Sequence, residues 1–263
     1  MNFAWQNRFA DSFLALEKAQ GFKPKSSLER RFKAKIISDI GSVCIATGNY
    51  KEALKRLRLS LILWGEGEQA AVIHLNMGTA LRRTGNYPAA VDSYRHTVTM
   101  GSDPLKLLAY AGLGQVYLDQ GNMMSARRYL LVGYVLSRKL KGDLHKGDIY
   151  CNLGRYYLET GKLGRAIYIL NKGVDVATRY GNLRTKLYVL TELVDAYMRK
   201  GEFSGADQMI NIIEQELSAD GGDVLLAGSH LIAIAKRCMH LGQIQRSLFV
   251  LNKCFQWLYR RDI

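Results

Sequence analysis

Few residues in this sequence are placed to do covalent chemistry. The five histidines (His74, His96, His145, His230, His240) show no HxxxH or HExxH spacing, so no pair shares a helix face as a hydrolytic zinc site requires. Cys44, Cys151, Cys238 and Cys254 form no CxxC pair, and they read as small buried hydrophobes of a reducing cytosol. Gly112-x-Gly114 does not extend into a dinucleotide fingerprint. Gly154…Gly161-Lys162 lacks both the phosphate-loop interval and the Ser or Thr that must follow it. Glu159 and Asp195 are expected at solvent-facing helix positions, without a partner that would raise a pKa for acid–base work. No catalytic residue, metal or cofactor is therefore expected. The chemistry left is recognition. Asn76 and Asn152 carry amides that both donate and accept, which suits the backbone of an extended peptide.

These side chains must be held by helices, because the stretch around Asn76, NMGTALRRTGNYPAAVDSY, reads as helix–turn–helix. Met77 and Leu81 with the small Gly78 and Ala80 keep helical spacing. Thr84-Gly85-Asn86 then breaks the helix, and Tyr87, Ala90, Val91 and Tyr94 restart the period. The chain repeats this frame. Turn glycines recur at Gly48, Gly85, Gly121, Gly161, Gly201 and Gly242, at intervals of 37, 36, 40, 40 and 41 residues. Seven residues before each turn stand Gly41, Gly78, Gly114 and Gly154, then Val194 and Ala235. Five after the turn come Ala53, Ala90, Ala126, Ala166, Ala206 and Ser247; nine after come Leu57, Tyr94, Leu130, Leu170, Ile210 and Leu251. Small residues at fixed places let two helices approach closely, and large ones fill the layer beside them.

The frame resembles the tetratricopeptide repeat family from about Lys33 to the C-terminus, as in Gly41…Gly48-Asn49-Tyr50…Ala53 and Gly154…Tyr157…Gly161…Ala166. It departs from the family's 34-residue unit by its longer later repeats. It also lacks the family's proline near the end of the second helix, and the last repeat has Cys238 and Ser247 where tyrosine and alanine are usual. The resemblance implies an all-α fold, an α-solenoid of about six antiparallel helix pairs wound into a right-handed superhelix. Its concave face would be lined by the first helix of each pair. It further implies that positions nine, six, three and two before the turn face inward. In the first two repeats these positions give Asp39, Asn76, Thr79, Arg82 and Arg83 as peptide-binding candidates, and Lys35 joins them for the charge it adds to the N-terminal half. In the later repeats they are Gln115, Asn152, Arg155, Glu159, Glu192 and Asp195. Lys35, Arg82 and Arg83 precede Asp148, Glu159, Glu192 and Asp195, so a bound peptide is expected to set its carboxylate end near the second repeat.

Co-chaperone members of the family hold the C-terminal carboxylate of heat-shock chaperones with lysines, asparagines and an arginine. Only Asn76 fits here; the basic places hold Ser38, Ser42, Leu108 and Gly112, so that function is not expected. Bacterial peptide-responsive regulators resemble the chain better, with lengthened repeats and groove asparagines that contact a short signalling peptide. In them a helix-turn-helix DNA-binding domain often precedes the repeats. No such domain is visible in the roughly 25 residues before the first complete repeat.

The domain division expected is an N-terminal helix in 1–25, acting as partial repeat or cap, then one repeat domain over 26–263. Phe3 to Gln20 is amphipathic, and Trp5, Phe9 and Phe13 offer a homodimer surface. Ser26-x-x-Glu29 is a capping box opening the next helix, and Asp103-Pro104 reads as N-cap and first helical residue of another. Only three prolines occur in 263 residues, and no apolar run reaches the length of a membrane span. A cytoplasmic protein without membrane contact is expected. Net charge is +14, which speeds encounter with anionic partners. Binding of nucleic-acid phosphates through a basic surface is thus the alternative, ranked second because no nucleic-acid motif accompanies the charge.

Overall fold

The structure is a computed structural model, and it describes residues 14, 17, 18, 21–142, 145–218 and 224–259. Among these lie twelve α-helices and no strand. They are α1 (Ser27–Ala46), α2 (Tyr50–Trp64), α3 (Glu68–Arg83), α4 (Tyr87–Met100), α5 (Asp103–Asp119) and α6 (Met123–Lys139). After these come α7 (Lys146–Glu159), α8 (Leu163–Arg179), α9 (Leu183–Lys200), α10 (Phe203–Ser218), α11 (Val224–His240) and α12 (Ile244–Tyr259). The helices group into two compact units, one ending at His145 and holding α1–α6, the other starting at Lys146 and holding α7–α12. The proposed N-terminal helix, with Trp5, Phe9 and Phe13, falls outside the described residues apart from Leu14, Glu17 and Lys18, which are helical. So does the loop Asp220-Gly221-Gly222-Asp223.

Each helix pair closes through the same backbone device. After α1, the Asn49 N–H donates to the Cys44 carbonyl at 2.8 Å and the Gly48 N–H to Ile45 at 3.1 Å. The equivalent two bonds follow α3, α5, α7, α9 and α11. This is a Schellman closure, which needs a residue in the left-handed region; the six turn glycines take φ of 70–80°. The residue after the glycine then starts the next helix. Asn49, Asn86 and Asn122 each accept a bond from the third residue on, and Asn182 does the same ahead of α9. Lys162 occupies this place before α8 with the same backbone (φ −88°, ψ 60°) and no side-chain cap. Lys162→Asn is therefore expected to stabilise the protein by about 1 kcal/mol, read as a higher urea midpoint with an unchanged slope.

The small residues seven before the turn set how close the paired helices come. A Cβ on Gly41, Gly78, Gly114 or Gly154 would lie 2.3–2.8 Å from the side chain of Leu57, Tyr94, Leu130 or Leu170 respectively. Each of these large residues is at most 2% exposed. Within each unit the first helices also pack on one another: α1 on α3, α3 on α5, α7 on α9 and α9 on α11. Among the described residues the backbones of second helices do not come close to one another; where second helices meet, as α10 and α12 do, they meet through long side chains. First helices thus form the crowded layer of each unit.

Two expectations fail locally. Ser102, not Asp103, is the residue preceding α5, and Asp103 and Pro104 are its first two helical residues. The aspartate there still meets the positive end of the helix dipole. In the last pair Leu251 is 39% exposed, and Val250 fills the layer instead. Ser247 donates to the Ala235 carbonyl at 2.9 Å, so α12 keeps its inward face but turns it by one residue.

Candidate functional site

The crowded layer of first helices carries many of the polar side chains that link successive repeats. In the unit ending at His145, Asn76 Nδ2 on α3 donates to Ser42 Oγ on α1 at 3.0 Å. That bond fixes the amide and leaves Oδ1 without a protein donor among the described residues. One turn on, Thr79 donates to the Leu75 carbonyl, and its hydroxyl lies 3.3 Å from Tyr94 Oη. Arg82 was expected as a free groove cation; it is instead paired with Asp119 on α5 at 2.7 Å, with both side chains mostly buried. Lys35 and Asp39 likewise pair along α1. Arg83 is exposed, and Gln115 half-buried. This unit therefore offers one open amide oxygen and one open cation on adjoining turns of α3.

The unit starting at Lys146 is different, for its polar groups are turned inward. Asn152, expected as the twin of Asn76, is 3% exposed; Arg155 is half-buried and Glu159 exposed. Glu192 and Asp195 were expected to face solvent, yet they are 9% and 3% exposed. The reason is Arg237 on α11, which binds Glu192 through two bonds of 2.8 and 2.9 Å and approaches Asp195 at 3.4 Å. Arg199 completes the cluster, 3.0 Å from Asp195 and 3.7 Å from Glu159. Burial works against the charge on Arg237, but the Glu192 and Asp195 carboxylates hold its pKa above the usual range. Burial, with Glu192 and Asp148 nearby, pushes the Cys151 thiol well up, so it is inert as a nucleophile. The charge gradient read along the sequence is thus largely internal ion pairing.

His230 lies beside this cluster, 3% exposed. Thr191 Oγ1 donates its one proton to the Leu187 carbonyl at 2.8 Å, so His230 Nδ1, also 2.8 Å away, must donate to Thr191. Nε2 is then a bare, buried lone pair with no donor among the described residues. Burial first, then Arg184 and Arg237, lower its pKa to about 4. A folded pKa below the ordinary 6.5 means that the unfolded chain binds the proton first as pH falls. The stability carried by the neutral ring is whole above about pH 6.5 and is lost between there and about 4, a swing of about 3 kcal/mol. His230→Asn should flatten that part of the stability–pH curve, measured by urea unfolding at pH 7, 5.5 and 4.5.

Arg237 and His230 carry no signal in the groove positions used above. Arg237 stands five before the turn, where the other repeats have Val43, Ala80, Val116, Tyr156 and Ala196. His230 stands twelve before, where the others have Ile36, Ile73, Ala109, Ile149 and Val189. A charged or titratable residue at an otherwise apolar place is the mark that finds both. No helix among the described residues is long and apolar enough to cross a membrane, and no group of three His, Cys, Asp or Glu there could hold a metal ion.

Comparison with known proteins agrees with this architecture. The tetratricopeptide repeat model matches residues 33–102 and 105–179. Comparison with curated proteins gives no match. Among solved structures, a Rap protein complexed with competence and sporulation factor is similar, with a TM-score of 0.70 at 12% identity over 97% of this chain and 71% of that one. The apo form of RapI follows with a TM-score of 0.67 at 12% identity, over 94% and 89%. A tetratricopeptide repeat protein from Parabacteroides merdae has a TM-score of 0.62 at 14% identity, over 97% and 89%. At these identities the likeness is one of fold.

Proposed function

Since the chain belongs to the tetratricopeptide repeat family, we propose that it is a non-catalytic cytoplasmic scaffold whose first-helix layer binds an extended peptide or partner segment. The observation that carries this reading is Asn76: its amide is oriented by Ser42 with one N–H used and the acceptor open. An amide so held accepts from a peptide backbone N–H without first losing its own freedom, which is where preorganisation raises affinity. Arg83, exposed on the next turns of the same helix, supplies a cation for an acidic side chain or terminal carboxylate. Rap protein, similar in fold, was crystallised with competence and sporulation factor. By analogy we assign this chain the sensor part of a bacterial regulator that answers to a short peptide.

A thermal-shift screen against pooled short peptides, at low and high salt, tests the proposal. A peptide at ~100-fold its dissociation constant stabilises by about 2.7 kcal/mol, and the shift should survive salt because it rests on amides and pockets. Arg83→Glu and Asn76→Ala should each weaken that peptide about tenfold or more, as expected for one lost charge-assisted or backbone hydrogen bond. Binding unchanged in both variants would remove the groove from the mechanism.

A further inference from the structure

We infer that α12 is a self-association surface, through which a second copy of this chain packs antiparallel on the first. The helix has two apolar faces. Ser247, Val250 and Cys254 are buried against the rest of its unit. About a quarter turn round the helix from these, Ile244, Leu248, Leu251 and Phe255 are 65%, 60%, 39% and 71% exposed. Their spacing of four, three and four residues is the seam of a heptad repeat, which keeps facing a partner only when that partner is itself a helix. A surface helix with no partner carries polar residues there.

Three features favour a second copy as that helix. The seam is self-complementary under a twofold axis: antiparallel pairing sets Ile244 against Phe255 and Leu248 against Leu251, each contact occurring twice. The positions flanking it, Gln245 and Asn252, are uncharged and meet each other across the same axis. The two cations of α12 are tied back to α10. Arg246 binds Asp207 by two bonds of 2.9 and 3.1 Å, and Lys253 binds Glu214 at 2.7 Å. In a chain of net charge +14, this neutral face lets two copies meet without repulsion. The four seam residues offer on the order of 400 Å² of apolar surface per copy, the size of a weak, transient contact rather than of a permanent one. The dimer is accordingly a weak, concentration-dependent one.

Sedimentation velocity on the full chain tests this. The expected result is a monomer–dimer equilibrium below about 100 µM, with Leu248→Lys raising the dissociation constant at least about 100-fold because a lysine would be buried in the seam. Far-UV circular dichroism of that variant should match the parent, since the site is exposed. Gln245→Lys/Asn252→Lys and Gln245→Glu/Asn252→Glu should each be monomeric alone and associate when mixed. A monomer at every concentration overturns the inference. So does a dimer that Leu248→Lys leaves intact, which would place the contact elsewhere, or a failure of the two charged variants to pair.

Discussion

Tyr94→Ala is expected to lower stability by about 3–5 kcal/mol, the range for truncating a buried aromatic ring. Tyr94 is 2% exposed, and its ring is held between two glycines of different repeats. A Cβ on Gly78 would lie 2.8 Å from Cε1, and one on Gly112 would lie 2.4 Å from Cζ. The ring thus fills the space where α3, α4 and α5 meet, and nothing nearby is free to collapse into the void. The glycines provide the control. Alanine in a helix interior normally gains up to about 1 kcal/mol over glycine, so Gly112→Ala on an open surface would stabilise. Here it should destabilise by about 2 kcal/mol through overpacking. In the Tyr94→Ala background the same change should become neutral or favourable. Chemical unfolding of the four proteins gives the coupling directly. A Gly112→Ala protein as stable as the parent would show that the ring can move aside.

Arg237→Met should cost about 3 kcal/mol, because it strands the buried Glu192 carboxylate, and leaves Asp195 to Arg199 alone, while keeping the volume of the side chain. Glu192 and Asp195 have side-chain exposures of 12% and 5%, while the Arg237 side chain is 31% exposed. The loss is therefore one of an unpaired anion more than of lost packing. Glu192→Gln in the Arg237→Met background should recover part of it, since a neutral amide is far less costly to bury than a lone carboxylate. The double-mutant coupling should exceed 1 kcal/mol and persist in 0.5 M salt, where a surface pair would be screened away. A coupling near zero would mean that water reaches the cluster and solvates the carboxylates.

The frame of this protein is written in residues whose effect is local. A glycine that alone tolerates φ near 80° marks a turn, an asparagine after it caps the next helix, and small against large fixes the pairing distance. Each can be read within one repeat, and the helix pairs follow. The polar face is written differently. Arg237 meets Glu192 and Asp195 from the neighbouring repeat, 45 and 42 residues downstream of them, so no short window holds both partners. Asn76 and Asn152 share a register position and look equivalent, yet one is half-open and the other enclosed. What separates them is the packing of the next first helix, which periodicity does not encode. Asp195 was placed at the surface by its position, and an arginine at a core position in the following repeat drew it inside.

The neighbour-to-neighbour packing of the helices also governs how the chain reaches this state. Among the described residues each helix meets only those one or two places away in order, and the longest side-chain bond named above joins residues 45 apart. A topology of such low contact order needs no encounter between distant ends, and the search for native partners is short at every step. Ordering is free to begin at any well-matched pair and to spread by accretion, and opening is free to begin at whichever pair is least supported. The proposed peptide surface lies on α3, which packs on both α1 and α5, so binding there would brace all three helices against opening.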